Sequence, residues 1–191
     1  MNIVITGGAG FLGTLLTQHL LSEADKGHID LNEIVSFDLI AARVSDPRVR
    51  SVIGAITDDG AVNQAITETT TAVFHLAAVL SGGSEADFDS AQSVNIDGTR
   101  KLLEALRHTP RPPESPAPRF IFTSSLAVFG GSLPDTMPES WATQPDSTYG
   151  ATKSIGEILV NEYGRKGFVD ARICRLPTIS VRPGSPNSAA S

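Results

Sequence analysis

Three glycines, Gly7, Gly10 and Gly13, separate a β-branched run at Asn2–Thr6 from a segment with helical spacing of apolar residues at Phe11–Glu23. This order predicts a strand, a turn and a helix in direct succession. Gly7 permits a tight turn, Gly10 lets the backbone approach a ligand, and Gly13 lets the helix pack closely. Tight turns also use glycine for steric reasons alone. The strand–turn–helix context nevertheless favours a dinucleotide site, with the pyrophosphate at the helix N-terminus.

Strands and helices alternate along the rest of the chain. The other predicted strands are Glu33–Asp38, Ser51–Gly54, Ala72–Leu76, Arg119–Ser124 and Val169–Leu176, and the other predicted helices are Asp58–Thr67, Glu85–His108 and Ser147–Arg165. This alternation predicts an α/β fold with a parallel sheet covered by helices on both faces. Right-handed crossovers would make it a doubly wound sheet of the Rossmann type.

Two stretches lack a core pattern. Thr109–Pro118 has five prolines in ten residues, which predicts a surface loop, with a proline-recognition ligand as the alternative. The segment 182–191 is rich in Pro, Ser, Gly and Ala. We therefore expect one domain over residues 1–181 and the start of a second region at 182–191.

Composition argues against several classes of protein. The net charge of −6 does not favour binding to nucleic acid or to an anionic membrane. No apolar stretch approaches the roughly 20 residues that span a bilayer. The single cysteine, Cys174, lies in a predicted strand, so we expect a buried, inert thiol and a cytoplasmic location.

An acidic residue ends the second predicted strand. Asp38 lies where the adenosine ribose of a dinucleotide would bind, and a carboxylate there accepts hydrogen bonds from the ribose hydroxyls and repels a 2′-phosphate. Asp38 therefore favours NAD over NADP. Arg43 follows closely enough to receive a phosphate, which keeps NADP open. A strand-end cap is the structural alternative for Asp38.

Small residues end the fourth predicted strand, in the sequence His75-Leu76-Ala77-Ala78. Small side chains at the carboxyl end of a strand let a cofactor lie against the backbone. His75 has no metal-ligand partner nearby in the sequence, so we expect a hydrogen-bonded structural histidine and no metal site.

Tyr149 and Lys153 lie four positions apart on a predicted helix and therefore share one face. The phenol normally has a pKa near 10. A lysine cation held nearby would stabilise the phenolate and lower the pKa of Tyr149, so that this residue could act as a general acid or base. An exposed helix pair without function is the alternative for this common spacing.

The segment Thr123-Ser124-Ser125 closes the fifth strand, so its hydroxyls emerge at the same sheet edge as the glycine turn. A hydroxyl there could orient a substrate carbonyl or alcohol beside Tyr149. No Gly-x-Ser-x-Gly elbow surrounds these serines, which argues against an acylating nucleophile. Together with the cofactor features, the site favours hydride transfer with Tyr149 as general base.

The chain resembles the extended short-chain dehydrogenase/reductases, also called the NAD-dependent epimerase/dehydratase family. The matching residues are the run Thr6–Gly13, Asp38, His75–Ala78, Asn95, Ser124, Ser125, Tyr149, Lys153 and Arg175–Pro177. The resemblance implies that Ser125, Tyr149 and Lys153 are catalytic. The cofactor residues it implies are Gly7, Ala9, Gly10, Phe11, Leu12, Gly13, Asp38, Leu76, Ala77, Ala78, Asn95, Ser124, Tyr149, Lys153, Pro177 and Ile179.

Several stretches, among them Val79–Asp89 and Arg175–Gly184, resemble members of this family that act on sugar acids. This resemblance implies NAD-dependent oxidation of a hydroxy group of a small, D-erythronate-like acid. Ser81, Gly82, Ser125, Tyr149 and Arg182 would contact it, with Arg182 as the partner of its carboxylate. A nucleotide-sugar epimerase or dehydratase and a nonenzymatic NAD-binding protein are the alternatives.

Family members continue for over a hundred residues that build a substrate domain. We therefore expect a fragment, with an NAD-binding Rossmann domain at 1–181, the start of a truncated substrate-binding region at 182–191, and the substrate domain largely missing. Extended family members are often dimers, so a homodimer is an option here.

Overall fold

The computed structural model describes residues 1–138 and 140–177. Six strands run through this part of the chain: β1 (Asn2–Thr6), β2 (Glu33–Asp38), β3 (Val49–Ile53), β4 (Ala72–His75), β5 (Arg119–Ser125) and β6 (Asp170–Leu176). The helices are α1 (Phe11–Asp25), α2 (Asp59–Ala65), α3 (Ser81–Ala86), α4 (Phe88–Ala91), α5 (Thr99–His108) and α6 (Thr148–Arg165). A π-helical segment (Gln92–Gly98) and a 3-10 turn (Leu126–Val128) complete the elements.

The strands form one parallel sheet in the order β3-β2-β1-β4-β5-β6. The chain moves outward from β1 to β3 on one side, then returns to place β4 on the other side of β1. The loops after β1 and β4 therefore leave the same edge in opposite directions, which is where open α/β sheets bind ligands. The predicted doubly wound, Rossmann-type sheet is confirmed.

Two clusters of buried apolar side chains cover the two faces of the sheet. The larger cluster packs α2, α5 and α6 against the sheet through Phe37, Phe120, Phe122, Leu102 and Leu103, among others. The smaller cluster includes Ile3, Ile5 and Ile34 of the strands and Leu21 of α1. Because β1 and β2 are covered on both faces, they need continuous apolar runs in place of alternation.

The prediction of one long helix over Glu85–His108 is wrong for the first half of that range. The chain instead forms two short helices, α3 and α4, then the π-helical segment and α5. Asp87 separates α3 from α4 because its backbone is extended and its carboxylate caps α4 by accepting from the Ser90 amide at 2.9 Å. Helical periodicity in sequence does not reveal such a break.

The predicted burial of Cys174 is also wrong. The thiol is exposed because β6 is the last strand in the sheet order and alternates between half-buried and exposed side chains. None of the helices that the structure describes has the length and apolar character needed to cross a membrane.

Close packing of α6 on β5 depends on a helix glycine. A Cβ atom built on Gly156 would lie 2.5 Å from Cζ of Phe122, a fully buried ring. Alanine normally favours a helix over glycine by about 1 kcal/mol, but overpacking a buried contact costs about 1–3 kcal/mol. The steric cost is the larger of the two, so glycine is favoured here.

We expect Gly156→Ala to lower the free energy of unfolding by about 1 kcal/mol or more, as measured by chemical denaturation. Asn161→Ala is the matched control, because Asn161 is exposed on the same helix. It should leave the stability unchanged or raise it slightly. Stabilisation by Gly156→Ala would show that the helix and strand do not need this close approach.

Candidate active site

The glycine turn connects β1 to α1 in a conformation that needs glycine. Gly7 has a φ of +69° and donates its amide to the carbonyl of Phe37 at 2.9 Å. A Cβ atom on Gly13 would overlap the carbonyl oxygen of Gly7, so α1 begins directly against the turn. Gly8, which the spacing argument passed over, is equally constrained, because its Cβ would lie 2.8 Å from the carbonyl oxygen of Ile5.

The N-terminus of α1 is open to an anionic ligand. Its N-cap is the exposed Gly10, no side chain caps the helix, and no acidic residue lies in its first turn. The helix therefore begins at Phe11 and Leu12 without a side-chain acceptor for its first amides. Such an end attracts a negatively charged group, as a pyrophosphate requires.

Asp38 lies beside this turn, as the sequence predicts. Its carboxylate accepts the Ala9 amide at 3.0 Å on one oxygen and the Leu39 amide at 2.7 Å on the other. The half-buried carboxylate is thus fixed at the end of β2, next to the start of α1. Arg43 is exposed in the loop that follows.

The loop after β4 touches the glycine turn. A Cβ atom on Gly7 would lie 3.0 Å from the amide nitrogen of Ala77, so the two backbones are in contact. Leu76, Ala77 and Ala78 are half-buried at this edge. Their small or apolar side chains leave the backbone accessible where the two loops diverge.

His75 is a structural histidine with both ring nitrogens hydrogen-bonded. Nδ1 lies 2.7 Å from the Thr6 hydroxyl, and Nε2 lies 2.8 Å from the Thr99 hydroxyl. Because Thr99 donates to the carbonyl of Asn95 at 2.6 Å, it must accept from Nε2–H, which fixes the neutral tautomer. Burial, with a smaller contribution from the charge of Lys153, lowers the pKa of His75 to about 3.

Asn95 lies within the π-helical segment and holds the loop after β4 to α6. Its amide nitrogen donates to the carbonyl of Val79 and to the hydroxyl of Thr152, each at 3.0 Å. Its oxygen accepts the Val79 amide at 2.8 Å. Both amide hydrogens are therefore donated to the protein, and the cofactor contact expected for Asn95 stays a prediction.

Tyr149 and Ser125 meet where α6 begins beside the end of β5. Ser147 caps α6 by accepting the Gly150 amide at 3.0 Å, and the Ser125 hydroxyl lies close enough to the Tyr149 phenol to lower its pKa. A Cβ atom on Gly150 would overlap the carbonyl oxygen of Ala127 in the 3-10 turn. Gly150 thus allows the approach that brings the two hydroxyls together, a role that the sequence reasoning missed.

Lys153 lies one turn further along α6 and is only 3% exposed. Its Nζ donates to the carbonyl of Thr123 at 2.8 Å and lies 5.7 Å from the ring centroid of Tyr149. Burial lowers the pKa of Lys153 to about 8. The structure therefore brings Ser125, Tyr149 and Lys153 to one place.

One electrostatic expectation is corrected. The sequence argument has Lys153 lowering the pKa of Tyr149, but the structure raises it. Burial of the phenol is the largest cause, since it penalises the phenolate, and the nearby Ser125 hydroxyl opposes it only in part.

Ser124 faces α6. Its hydroxyl, which was expected at the cofactor, donates to Glu157 Oε1 at 2.6 Å, and Glu157 also pairs with Arg175 of β6. Sequence reasoning did not find Glu157, although its place four residues after Lys153 puts both on one helix face.

The expected substrate residues are partly described. Ser81 and Gly82 begin α3, whose Glu85 accepts the Thr148 amide at 2.7 Å and so holds α3 against the start of α6. Pro177 follows β6 and is exposed. Ile179 and Arg182 lie outside the described residues. Within residues 1–138 and 140–177, no group of three or more His, Cys, Asp or Glu side chains could hold a metal ion.

A family model described as the NAD dependent epimerase/dehydratase family matches residues 3–187. The chain belongs to this family. The D-erythronate dehydrogenase of Cupriavidus necator is 48% identical over 196 residues, which cover 100% of this chain and 59% of that protein. The chain thus spans less than two thirds of this relative.

Solved structures of the family have the same fold. A nucleoside-diphosphate-sugar epimerase from Agrobacterium tumefaciens superposes with a TM-score of 0.88 at 38% identity, covering 100% of this chain and 56% of that one. The UDP-glucose 4-epimerase of Thermus thermophilus, solved with NAD, gives a TM-score of 0.81 at 25% identity, covering 100% and 59%.

The neutral state of His75 makes stability depend on pH. Its pKa is about 3 in the folded protein against 6.5 ordinarily, so the unfolded state binds a proton first as the pH falls. Above pH 6.5 the neutral His75 does not reduce the free energy of unfolding. Below pH 6.5 the unfolded state gains a proton that the folded state does not bind, so the free energy of unfolding falls. Between pH 7 and pH 5 we expect a loss of about 2 kcal/mol from His75, measured by chemical denaturation.

His75→Gln should remove this part of the pH dependence, whereas His108→Gln, at an exposed histidine, should retain it. Equal slopes for the unaltered protein and His75→Gln would contradict a neutral, buried imidazole.

Proposed function

We propose that this protein is an NAD-dependent dehydrogenase that oxidises a hydroxy group of a small sugar acid, of which D-erythronate is the model. The observation that carries the proposal is the approach of α6 to the end of β5, which brings Tyr149 close to Ser125 with the buried Lys153 behind them. These groups lie at the same sheet edge as the glycine turn. Membership of the NAD dependent epimerase/dehydratase family supports the same cofactor.

The residues at the turn fit a dinucleotide. The uncapped N-terminus of α1, from Gly10 to Gly13, would hold the pyrophosphate, and Asp38 would accept the adenosine ribose hydroxyls. Leu76–Ala78 would line the site beside them, and Pro177 with Ile179 would approach the carboxamide through the backbone. Bound NAD would supply the carbon that accepts the hydride. The Thermus thermophilus relative was solved with NAD.

The side chains on α6 and β5 would move the proton. Ser125 would hold the substrate hydroxyl by a hydrogen bond, and Tyr149 would take its proton as general base. Lys153 would stabilise by its charge the phenolate form of Tyr149 that accepts this proton, and could donate to the nicotinamide ribose. Because burial raises the pKa of Tyr149, the base depends on its neighbours to lose its own proton.

The substrate would lie between α3 and the start of α6. Ser81 and Gly82 begin α3, and the contact of Glu85 with Thr148 fixes that helix beside Tyr149. Arg182 would pair with the carboxylate of the acid. We propose the same division of the chain as the sequence predicts: residues 1–181 form the NAD-binding unit that carries the site, and 182–191 belong to the substrate-binding region. The named activity of the Cupriavidus necator relative supports a sugar acid.

A nucleotide-sugar epimerase is the second candidate, favoured by the structural match to the Agrobacterium tumefaciens protein. The deciding assay incubates the full-length protein with NAD and D-erythronate, L-threonate or UDP-glucose while following reduced cofactor by absorbance. We expect net reduction with an acid. Sugar conversion without net reduction would support the epimerase, and NAD binding without turnover would support a nonenzymatic protein.

Tyr149→Phe should retain NAD binding and lose at least about 100-fold in kcat, because only the proton-accepting oxygen is removed. Tyr163→Phe is the matched control at the other tyrosine of the chain. The Tyr163 hydroxyl donates a hydrogen bond to Glu104 and lies away from the site. It should retain kcat. Full turnover by Tyr149→Phe would remove the phenol from the mechanism.

A further inference from the structure

A buried carboxylate on α6 connects the ends of two strands. Glu157 is 6% exposed and lies two helical turns after Tyr149. Its Oε1 accepts from the Ser124 hydroxyl at 2.6 Å and from Nε of Arg175 at 2.9 Å, and its Oε2 accepts from Nη2 of Arg175 at 2.7 Å. The arginine contact is bidentate, the strongest and most directional form of such a pair.

Glu157 stays ionised although it is buried. Burial alone would raise its pKa, but the hydrogen bonds from Arg175 and Ser124 outweigh that effect and lower it. A buried ion pair of this kind is weak evidence for stability, since desolvation offsets much of the attraction. Its directional contacts instead fix the positions of the groups that make them.

The groups that Glu157 holds lie on both sides of Ser125. Ser124 precedes it directly, and the guanidinium of Arg175 lies 4.9 Å from the ring centroid of Phe129, the residue that ends the 3-10 turn after Ser125. Ser124 and Arg175 are also register partners across β5 and β6, as are Ser125 and Leu176. One carboxylate therefore fixes the backbone from which the Ser125 hydroxyl projects.

We propose that Glu157 is a positioning residue for the reaction: through Ser124 and Arg175 it sets the place of the Ser125 hydroxyl relative to Tyr149, and the direction in which the chain leaves β6 at Pro177. This inference rests on the proposed function, in which Ser125 holds the substrate hydroxyl. Glu157 itself contacts no reacting atom.

The test compares Glu157→Gln with Glu162→Gln in the full-length protein. The first variant keeps the shape of the side chain and removes the negative charge that pairs with Arg175. The second changes an exposed carboxylate on the same helix, paired with Arg165. We expect Glu157→Gln to lower kcat about tenfold, equivalent to 1.4 kcal/mol, with a smaller change in KM for NAD. Glu162→Gln should retain kcat.

A second readout needs no substrate. The nearby Ser125 hydroxyl lowers the pKa of Tyr149, so displacement of Ser125 should raise that pKa further. The titration of Tyr149 is obtained by ultraviolet difference absorption, subtracting the Tyr149→Phe variant. We expect a higher pKa in Glu157→Gln and no change in Glu162→Gln.

Arg175→Lys serves if Glu157→Gln does not fold, because lysine keeps the charge but loses the bidentate contact. It should show the same two effects to a smaller degree. Lowered melting temperature with unchanged kcat and unchanged Tyr149 titration would overturn the proposal and leave a purely structural pair. Absence of turnover in the unaltered protein would instead refute the proposed function, while the Tyr149 titration would still decide the role of Glu157.

Discussion

The close approach of α6 to the carboxyl end of β5 is the contact on which the site depends. Gly156 lets the helix lie against the buried ring of Phe122, and Gly150 lets its first turn lie against the chain that follows Ser125. Glycine within a helix costs stability, so two such residues that α6 places against its neighbours indicate a packing requirement. This approach brings together the Tyr149 phenol and the Lys153 ammonium of α6 and the Ser125 hydroxyl of β5.

A chain of buried polar groups joins this helix to the cofactor end of the sheet. It runs from Thr6 through His75 and Thr99 to Asn95, whose side chain reaches Thr152 on α6. Buried polar groups are costly unless they are paired, and each hydrogen bond in this chain satisfies the next group. The network therefore favours a single arrangement of β1, β4, the π-helical segment and α6. A π-helical segment inside a helix is often found at functional sites, and here it places Asn95.

The electrostatics of the site depend on burial. Lys153 is enclosed with a carbonyl oxygen and two aromatic rings as neighbours, which lowers its pKa to about 8, while burial raises that of Tyr149. Ionisable groups with pKa values shifted by burial at a sheet edge are typical of catalytic sites. Glu157 differs from both because the strong pair with Arg175 keeps it charged. The same face of α6 therefore carries the Lys153 ammonium and the Glu157 carboxylate, each with its own hydrogen-bond partners.

The sequence alone determined the features that depend on residues close together in the chain. Gly7, Gly10 and Gly13 predicted the turn, strand and helix periodicity predicted the doubly wound sheet, and the spacing of Tyr149 and Lys153 placed both on one helix face. Only the tertiary structure decided the break at Asp87, the exposure of Cys174, the raised pKa of Tyr149 and the pairing of Glu157 with Arg175. The physical reason is that local spacing fixes backbone conformation, whereas burial and long-range partners arise when distant elements pack together.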